Sequence, residues 1–522
     1  MPSSTSRSEG LVGGAAERRP RRRRGVQLIV YPNRFGATIA GLLRLLDGPL
    51  LRDVFEGVHL LPFYIPFDGA DGGFDPVDHT QVDPRLGDWE DVRELASRYE
   101  VVADVIANHM SAQSPQFLDT VARGDASEHA GMFLTMGSVF TEGASEKDLL
   151  SIYRPRPGIP FTVMPWGEGR RLVWTTFTEH QVDLDVDDAE TAAYIDEVLR
   201  ALAGAGVDMV RLDAVGYVVK TAGTSCFMTP ATMEFIHRIT ARAHELGMEV
   251  LAEAHTHYAM QVALASAVDW VYDFALPPLV LYSLYTGDGD PLRRWLGLRP
   301  DNCVTVLDTH DGIGVIDVGP SRHGSRQAGL LAPDQIDQIV EGIYERAGQE
   351  SRLSTGRSAS NVDIYQVNTT YYDALGRDDH RYLLARALQF FTPGLPQVYY
   401  VGLLAGHNDL ALLAQTGVGR DINRGRYLTP DVEEHLARPV VAALFELIRF
   451  RNAHPAFTGD FDFGGSGAVI TMTWTLGEHR ATLTANLVAG QATITWTDRK
   501  GRLQRTANLL NPPWHTPDDL SQ

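Results

Sequence analysis

The sequence predicts an α/β chain: a (β/α)8 TIM barrel with subdomains inserted after strands three and seven and an all-β domain at the C-terminus. Three observations carry this reading. From residue 26, short apolar runs alternate with amphipathic segments, as parallel strands joined by crossover helices do. The intervals 110–187 and 312–378 are too long for simple crossovers. After about residue 457 the hydrophobic period changes from 3.6 to 2.

The eight predicted strands are VQLIVYP (26–32), GVHLLPF (57–63), VVADVIANH (101–109), VDMVRLDAVGY (207–217), MEVLAEAH (248–255), WVYDFALP (270–277), CVTVLDTHD (303–311) and PQVYYVG (396–402). Between them, Trp89, Val92, Leu95 and Tyr99 recur at helical spacing behind Asp88, a residue suited to cap the first turn. Thr229-Pro230 opens another helix with a cap and a proline at its first position, followed by Phe235, Ile236, Ile239 and Leu246. In the tail of the chain Ile470, Met472 and Trp474 alternate with Thr471, Thr473 and Thr475, and Ile494 and Trp496 alternate with threonines likewise. That pattern predicts a half-buried antiparallel sheet. The segmentation is therefore a basic tail (1–25), barrel (26–109), insertion (110–187), barrel (188–311), insertion (312–378), barrel (379–456) and β-domain (457–522).

Composition sets outer limits. The 522 residues are 44% hydrophobic and 21% charged, with a formal charge of −20, which excludes collagenous, low-complexity and mainly disordered chains. No apolar run approaches the roughly 18 residues that span a bilayer, so a soluble, cytoplasmic, non-membrane protein is expected. Residues 1–25 hold seven arginines against two glutamates, a local charge of +5, so the remainder carries −25. A body that acidic repels phosphate backbones and argues against nucleic acid as a partner; the arginine-rich stretch reads as a disordered tail. Cys226 and Cys303 lack metal-ligand spacing and read as buried thiols.

The chemistry gathers at the strand ends, where the loops of such a barrel converge on one cavity. They carry Asp104, Asn108 and His109; Arg211 and Asp213; Glu253, His255 and His257; Asp308, His310 and Asp311. Two carboxyl groups facing each other across a sugar can cleave a glycosidic bond, one attacking and one donating a proton. Arg211, two residues before Asp213 on the same strand face, is expected to lower that aspartate's pKa, and the apolar setting VLAEAH to raise that of Glu253. His255-Thr-His257 could supply half a zinc site, but no third ligand stands at suitable spacing, so no metal is expected.

The strings DVIANH (104–109), VRLDAVGY (210–217), AEAH (252–255) and VLDTHD (306–311) resemble the four ordered signatures of the α-amylase family, glycoside hydrolase family 13. The resemblance implies Asp213 as nucleophile, Glu253 as acid/base, Asp311 as the carboxylate gripping sugar hydroxyls, and His109, Arg211 and His310 as glucose-pocket residues. Longer strings, among them LPFYIPFDGADGGFDPVDH (61–79), YRPRPGIPF (153–161), TVLDTHDGIGVID (305–317), NVDIYQVNTTYYDALG (361–376) and GRDINR (419–424), are similar to the sucrose phosphorylases within that family. By that analogy Asp71 and Arg420 hold the far side of the glucosyl ring and Phe74 packs on it. Asp363 and Gln366 serve the acceptor, and Arg156, Tyr217 and Tyr365 meet phosphate or acceptor.

The implied partners are sucrose, inorganic phosphate, glucose 1-phosphate and fructose, with no metal, nucleotide or redox cofactor. A homodimer is compatible with the sequence. Amylases of the family often bind calcium near the asparagine matching Asn108, and the phosphorylase resemblance argues against it here. Alternatives are phosphorylases of glucosylglycerol, glucosylglycerate or sucrose 6-phosphate, and a sucrose hydrolase or transglucosylase. Residues 361–366 add no basic group, which favours neutral fructose as acceptor.

Overall fold

The computed structural model describes residues 25–69, 71–155, 158–321, 327–355 and 366–511. Most of the arginine-rich stretch, together with Arg156, Asp363 and Tyr365, lies outside the described residues. Eight parallel strands close a barrel in sequence order: β1 (Gln27–Val30), β2 (Gly57–Leu60), β3 (Glu100–Val105), β4 (Met209–Leu212), β5 (Glu249–Ala252), β6 (Trp270–Asp273), β7 (Cys303–Thr305) and β8 (Leu395–Tyr399). Each lies inside a run read from the sequence or within a residue of it, but the strands are shorter than the runs. Tyr400–Leu403 is already helical, and β7 stops six residues before Asp311.

Period-2 alternation splits the strands between two environments. Leu28, Val58, Val101, Ala103, Val210, Val250, Val304 and Val398 are fully buried and form the apolar layer under the helices. The alternate positions Gln27, His59, Asp104, Arg211, Tyr272, Thr305 and Gln397 are polar and equally buried. They fill the barrel axis, where branched aliphatic side chains usually dominate.

The helix Trp89–Ala96 has Asp88 as its cap, accepting from the backbone N–H of Glu90 and Asp91. It ends before Tyr99, which lies in the following turn, because Ser97 closes the last turn by donating back to the Arg93 carbonyl. Thr229 caps Pro230–Glu245 with the proline at the helix start.

After β3 the chain makes its own small unit. His109–Ser111 pairs with Gln181–Asp183, a hairpin joins Phe161–Trp166 to Gly169–Trp174, and Met110, Phe117, Phe133, Trp166 and Leu184 form a separate core. After β7, Ile313–Gly314 pairs with Gln366–Val367 and the helix Pro333–Arg346 follows the first of these.

The C-terminal sheet is a meander of β9 (Asp460–Gly464), β10 (Val469–Leu476), β11 (His479–Asn486), β12 (Gln491–Thr497) and β13 (Leu503–Thr506). Ile470, Met472, Trp474, Leu483, Ile494 and Trp496 form its buried face. The Trp474 indole N–H donates to the Phe391 carbonyl at 2.8 Å, tying the sheet to the helix Asp379–Phe391. Among the described residues no helix is long and apolar enough to cross a membrane.

Closure of the barrel depends on the turn into β8. Gly394 has φ +119°, and a Cβ there would lie 2.2 Å from the backbone oxygen of Cys303. Gly394→Ala is expected to cost about 2–4 kcal/mol, combining strained backbone with displacement of β7. Denaturant unfolding of the full chain measures it; an unchanged midpoint would contradict the close approach.

Candidate active site

Asp213 and Glu253 are the first residues past β4 and β5, and the ladder carries on through them. The Asp213 N–H donates to the Val105 carbonyl and the Glu253 N–H to that of Leu212, both at 3.1 Å. Two adjacent strands therefore deliver the two carboxyl groups at one level. Ala214 then adopts a left-handed conformation (φ 46°, ψ 31°) that turns its N–H onto Glu253 Oε2 at 2.7 Å. Strain of this kind persists where surrounding contacts over-determine it.

Beneath the pair lies Arg211. Its Nη1 donates to Asp104 and to Asp213 Oδ1 (3.0 Å), and its Nη2 stands 3.7 Å from Glu253 Oε1. Burial pushes the Asp104 carboxyl up, but Arg211 and His59 outweigh it and hold Asp104 below the ordinary range. At Asp213 the balance reverses the expectation from sequence. Burial is the largest influence, Glu253, Asp104 and Asp311 reinforce it, and Arg211 opposes it without prevailing, so the carboxyl is pushed well up. The arginine already neutralises Asp104 directly and cannot give its full charge to Asp213.

Opposite the pair, Asp311 Oδ1 lies 2.9 Å from Arg420 Nη1, which also reaches Asp71 Oδ2 at 3.3 Å. Arg424 stands behind both, 3.7 Å from Asp71. Burial would raise Asp311, but Arg420, His310 and Arg424 hold it far below the carboxylate range. Phe74 is stacked on His310 (4.6 Å, 12° between planes). Burial pushes His310 down to about 3 against the pull of Asp311, so it is a neutral ring. Burial also lowers His109; its Nε2 donates to the Phe74 carbonyl at 2.8 Å while Nδ1 accepts from Asn108. His255 goes the other way. Burial would lower it, but Asp317, 3.0 Å from Nδ1, together with Glu253 and Asp311, moves it up.

Asp71, Phe74, His109, Asp213, Tyr217, Glu253, His255, His310, Asp311, Gln366 and Arg420 all line one cavity of about 270 Å³, near the lower end of small-molecule sites. Arg211 is below its floor. Four other strand-end residues do not join it: Asp104 lies with Arg211, Asn108 Oδ1 accepts from Lys220 at 2.8 Å, Asp308 is paired with Arg386 at 2.8 Å, and His257 Nε2 faces the Ala328 carbonyl at 3.1 Å. The sequence reading missed Phe177, Thr178 and Gln181 from the first insertion, the rim segment Thr416–Gly419, and the supporting Asp317 and Arg424. Asp317 and Arg424 end two of the quoted strings, so their position was a usable signal; the rim residues carry no pattern of their own.

The donors near Asn108 do not fit a calcium ion. The Lys220 ammonium sits 2.8 Å from Asn108 Oδ1 and 2.7 Å from Asp183, filling the place between these oxygens with a fixed charge. Glu253, His255 and Asp311 bring one possible ligand atom each within 4.8 Å of one another. Arg211 and Arg420 set positive charge against a dication there.

Residues 51–276 match the family model described as alpha amylase, catalytic domain. The chain is 54% identical over 474 residues to a sucrose phosphorylase of Agrobacterium vitis, covering 90% of this chain and 96% of the relative. A sucrose phosphorylase of Bifidobacterium adolescentis is 49% identical over 502 residues, covering 94% and 99%. The crystal structure of sucrose 6F-phosphate phosphorylase from Thermoanaerobacter thermosaccharolyticum superposes with TM-score 0.86 at 36% identity, covering 94% of this chain and 98% of that one. With its closed barrel, its strand-end carboxylates and these relatives, the chain belongs to the sucrose phosphorylase group of the α-amylase family, glycoside hydrolase family 13.

Proposed function

We propose that the chain transfers glucose from sucrose to inorganic phosphate with retention, releasing fructose and α-glucose 1-phosphate. The observation that carries this is the meeting of Asp213, Glu253 and Asp311 in one cavity of a chain 54% identical to a sucrose phosphorylase. Asp213 attacks the anomeric carbon, the bond to the fructosyl oxygen breaks, and Glu253 gives that oxygen its proton. A phosphate oxygen then attacks the same carbon from the vacated side, its proton passes to Glu253, and Asp213 leaves as the carboxylate. Asp311, Asp71 and Arg420 hold the glucosyl hydroxyls, with Phe74, His109 and His310 walling the ring.

Asp213 must be ionised while Glu253 is protonated. Two carboxyl groups sharing one site and one cation hold a proton between them, and Arg211, 3.0 Å from Asp213, is the group that favours its ionised form. Phosphate entering an acidic body needs local positive charge, and Arg156 is assigned that role; His255 stands beside Glu253, donating from Nδ1 to Asp317. Gln366, 3.5 Å from Arg420, stands with His255 at the acceptor side, next in the chain to the assigned Asp363 and Tyr365.

Incubation with sucrose, with and without phosphate, is expected to yield glucose 1-phosphate and fructose only when phosphate is present. Equal sucrose consumption without phosphate, giving free glucose, would reject the acceptor assignment and favour a hydrolase.

Asp213→Asn is expected to lower turnover by at least about 10⁴-fold while keeping the circular dichroism of the parent. The same change should raise the thermal midpoint. A carboxyl pushed up on folding binds its proton more tightly in the folded state, so its stabilising contribution is present at low pH and lost as pH rises; asparagine removes that cost. The gain should be larger at pH 7 than at pH 4, where the parent's carboxyl holds its proton. A destabilised variant would contradict the direction at Asp213.

For the parent, kcat/KM should fall on acidification from a point above the ordinary aspartate value of about 3.9. An acidic limb at or below that value in a pH–rate profile would contradict the same direction.

A further inference from the structure

We propose that His59, which touches no substrate, is a positioning residue for the reacting pair, acting on Arg211 through Asp104 with a proton on both ring nitrogens. The proposal rests on the reading of Asp213 and Glu253 as that pair. It comes from the polar file along the barrel axis. At the lower mouth Gln27 Nε2 donates to Glu100 Oε2 (3.4 Å), and Gln397 Nε2 donates to Gln27 Oε1 (2.8 Å). The Tyr272 hydroxyl donates to Gln397 Oε1 (3.1 Å) and lies 3.3 Å from His59 Nδ1. His59 Nε2 lies 3.3 Å from Asp104 Oδ2, and the other Asp104 oxygen takes Arg211.

The direction of this file is fixed from its lower end. A carboxylate can only accept, so Gln27 presents its amide N–H to Glu100 and its oxygen to Gln397, which in turn presents oxygen to Tyr272. Tyrosine has a single proton. Burial pushes the Tyr272 phenol far up, so it keeps that proton and gives it to Gln397. The phenol oxygen must then accept from His59 Nδ1, while the Asp104 carboxylate must accept from Nε2. Both ring nitrogens are donors, and the ring is an imidazolium. Turning the Tyr272 proton toward His59 would leave two oxygens facing each other at 3.1 Å, a contact with no proton between them. Gly57 makes the arrangement possible, because a Cβ there would lie 2.8 Å from Gln27 Cγ.

Among the described residues, the titratable groups facing His59 are Asp104 from β3 and Tyr272 from β6, with His310 beyond Asp104 and Arg211 reaching both Asp104 and the Tyr272 oxygen. A cationic His59 shares the Asp104 charge, so less of the Arg211 field is spent there and more reaches Asp213. That counters the burial which pushes Asp213 up. A neutral His59 would leave Arg211 more closely committed to Asp104.

The test uses the full-length protein labelled with ¹⁵N-histidine. At pH 7 the imidazole signal lost in His59→Gln should show protons on both nitrogens, and in Tyr272→Phe it should revert to a single protonated nitrogen. The phenylalanine ring keeps the stacking of Tyr272 on Phe274, centroids 4.9 Å apart. Tyr272→Phe should also lower kcat for glucose 1-phosphate formation about tenfold with sucrose KM within about twofold. It should move the acidic limb of kcat/KM upward by about 0.5–1 pH unit, since positive charge near Asp213 is lost.

A singly protonated His59 in the parent overturns the proposal, and so does a Tyr272→Phe enzyme with unchanged kcat and acidic limb. If neither variant folds, the parent spectrum still decides, with the His59 signal identified by its contacts to the Tyr272 ring. Failure of the acceptor assignment reads out separately: turnover would then be scored as glucose release, and the ring protonation would be unaffected. Failure of the reacting pair appears as retained turnover in Asp213→Asn.

Discussion

The guanidinium of Arg211 is the interaction on which the site depends. Asp104, Asp213 and Glu253 come within reach of this one buried cation. Two like charges about 4 Å apart repel by roughly 4 kcal/mol at an effective dielectric constant near 20. Without a cation the adjacent ends of β4 and β5 could not present two carboxyl groups at one level. Deleting such a partner from a buried pair costs about 3–5 kcal/mol because the remaining charge is stranded. Arg211 is thus a condition of the fold as much as of the chemistry. The opposite wall repeats the arrangement, with Arg420 and Arg424 set against Asp71 and Asp311.

The two walls differ in how their charges resolve. Asp311 has Arg420 at 2.9 Å and Arg424 behind it, enough to overcome burial and fix it as an anion. Asp213 must compete with Asp104 for a single arginine, so burial wins. One wall therefore offers a permanent charge suited to holding hydroxyl groups, and the other a proton that can move. This division arises from how many guanidiniums each carboxylate can reach, which the strand register and the loop after β8 determine together.

Much of the frame was readable before any coordinates. Apolar-rich runs of seven to eleven residues located all eight barrel strands, Asp88 and Thr229-Pro230 located two helix starts, and alternation of Ile470, Met472 and Trp474 with threonines located the final sheet. Residues delivered by strand ends or by long distinctive strings, such as Asp213, Glu253, Asp71 and Arg420, did converge on one cavity. What failed was anything decided across the fold. Asp308 looks like its neighbour Asp311 in sequence, yet Arg386, 78 positions later, claims it. His257 follows His255 by two residues, but both lie past the end of β5, where alternation no longer governs direction, and His257 turns away to cap the helix Tyr258–Leu264. The Arg-x-Asp spacing correctly put Arg211 beside Asp213; it could not reveal Asp104 as the stronger competitor.

The polar axis of the barrel explains why such competition can be tolerated. An aliphatic interior would leave the lower side of Asp104 facing hydrocarbon, and Arg211 alone would have to neutralise it. Gln27, Gln397, Tyr272 and His59 instead continue the hydrogen-bonded network to Glu100 at the partly buried lower mouth. Each amide or hydroxyl in this file has its direction set by the next, so a carboxylate at one end constrains the protons near the other. A file of this kind cannot slacken locally, since a single reversed group leaves two acceptors in contact inside a closed, water-poor barrel. The rigidity needed to hold opposed carboxyl groups around a sugar is thus built from below the site, by residues that the sugar never meets.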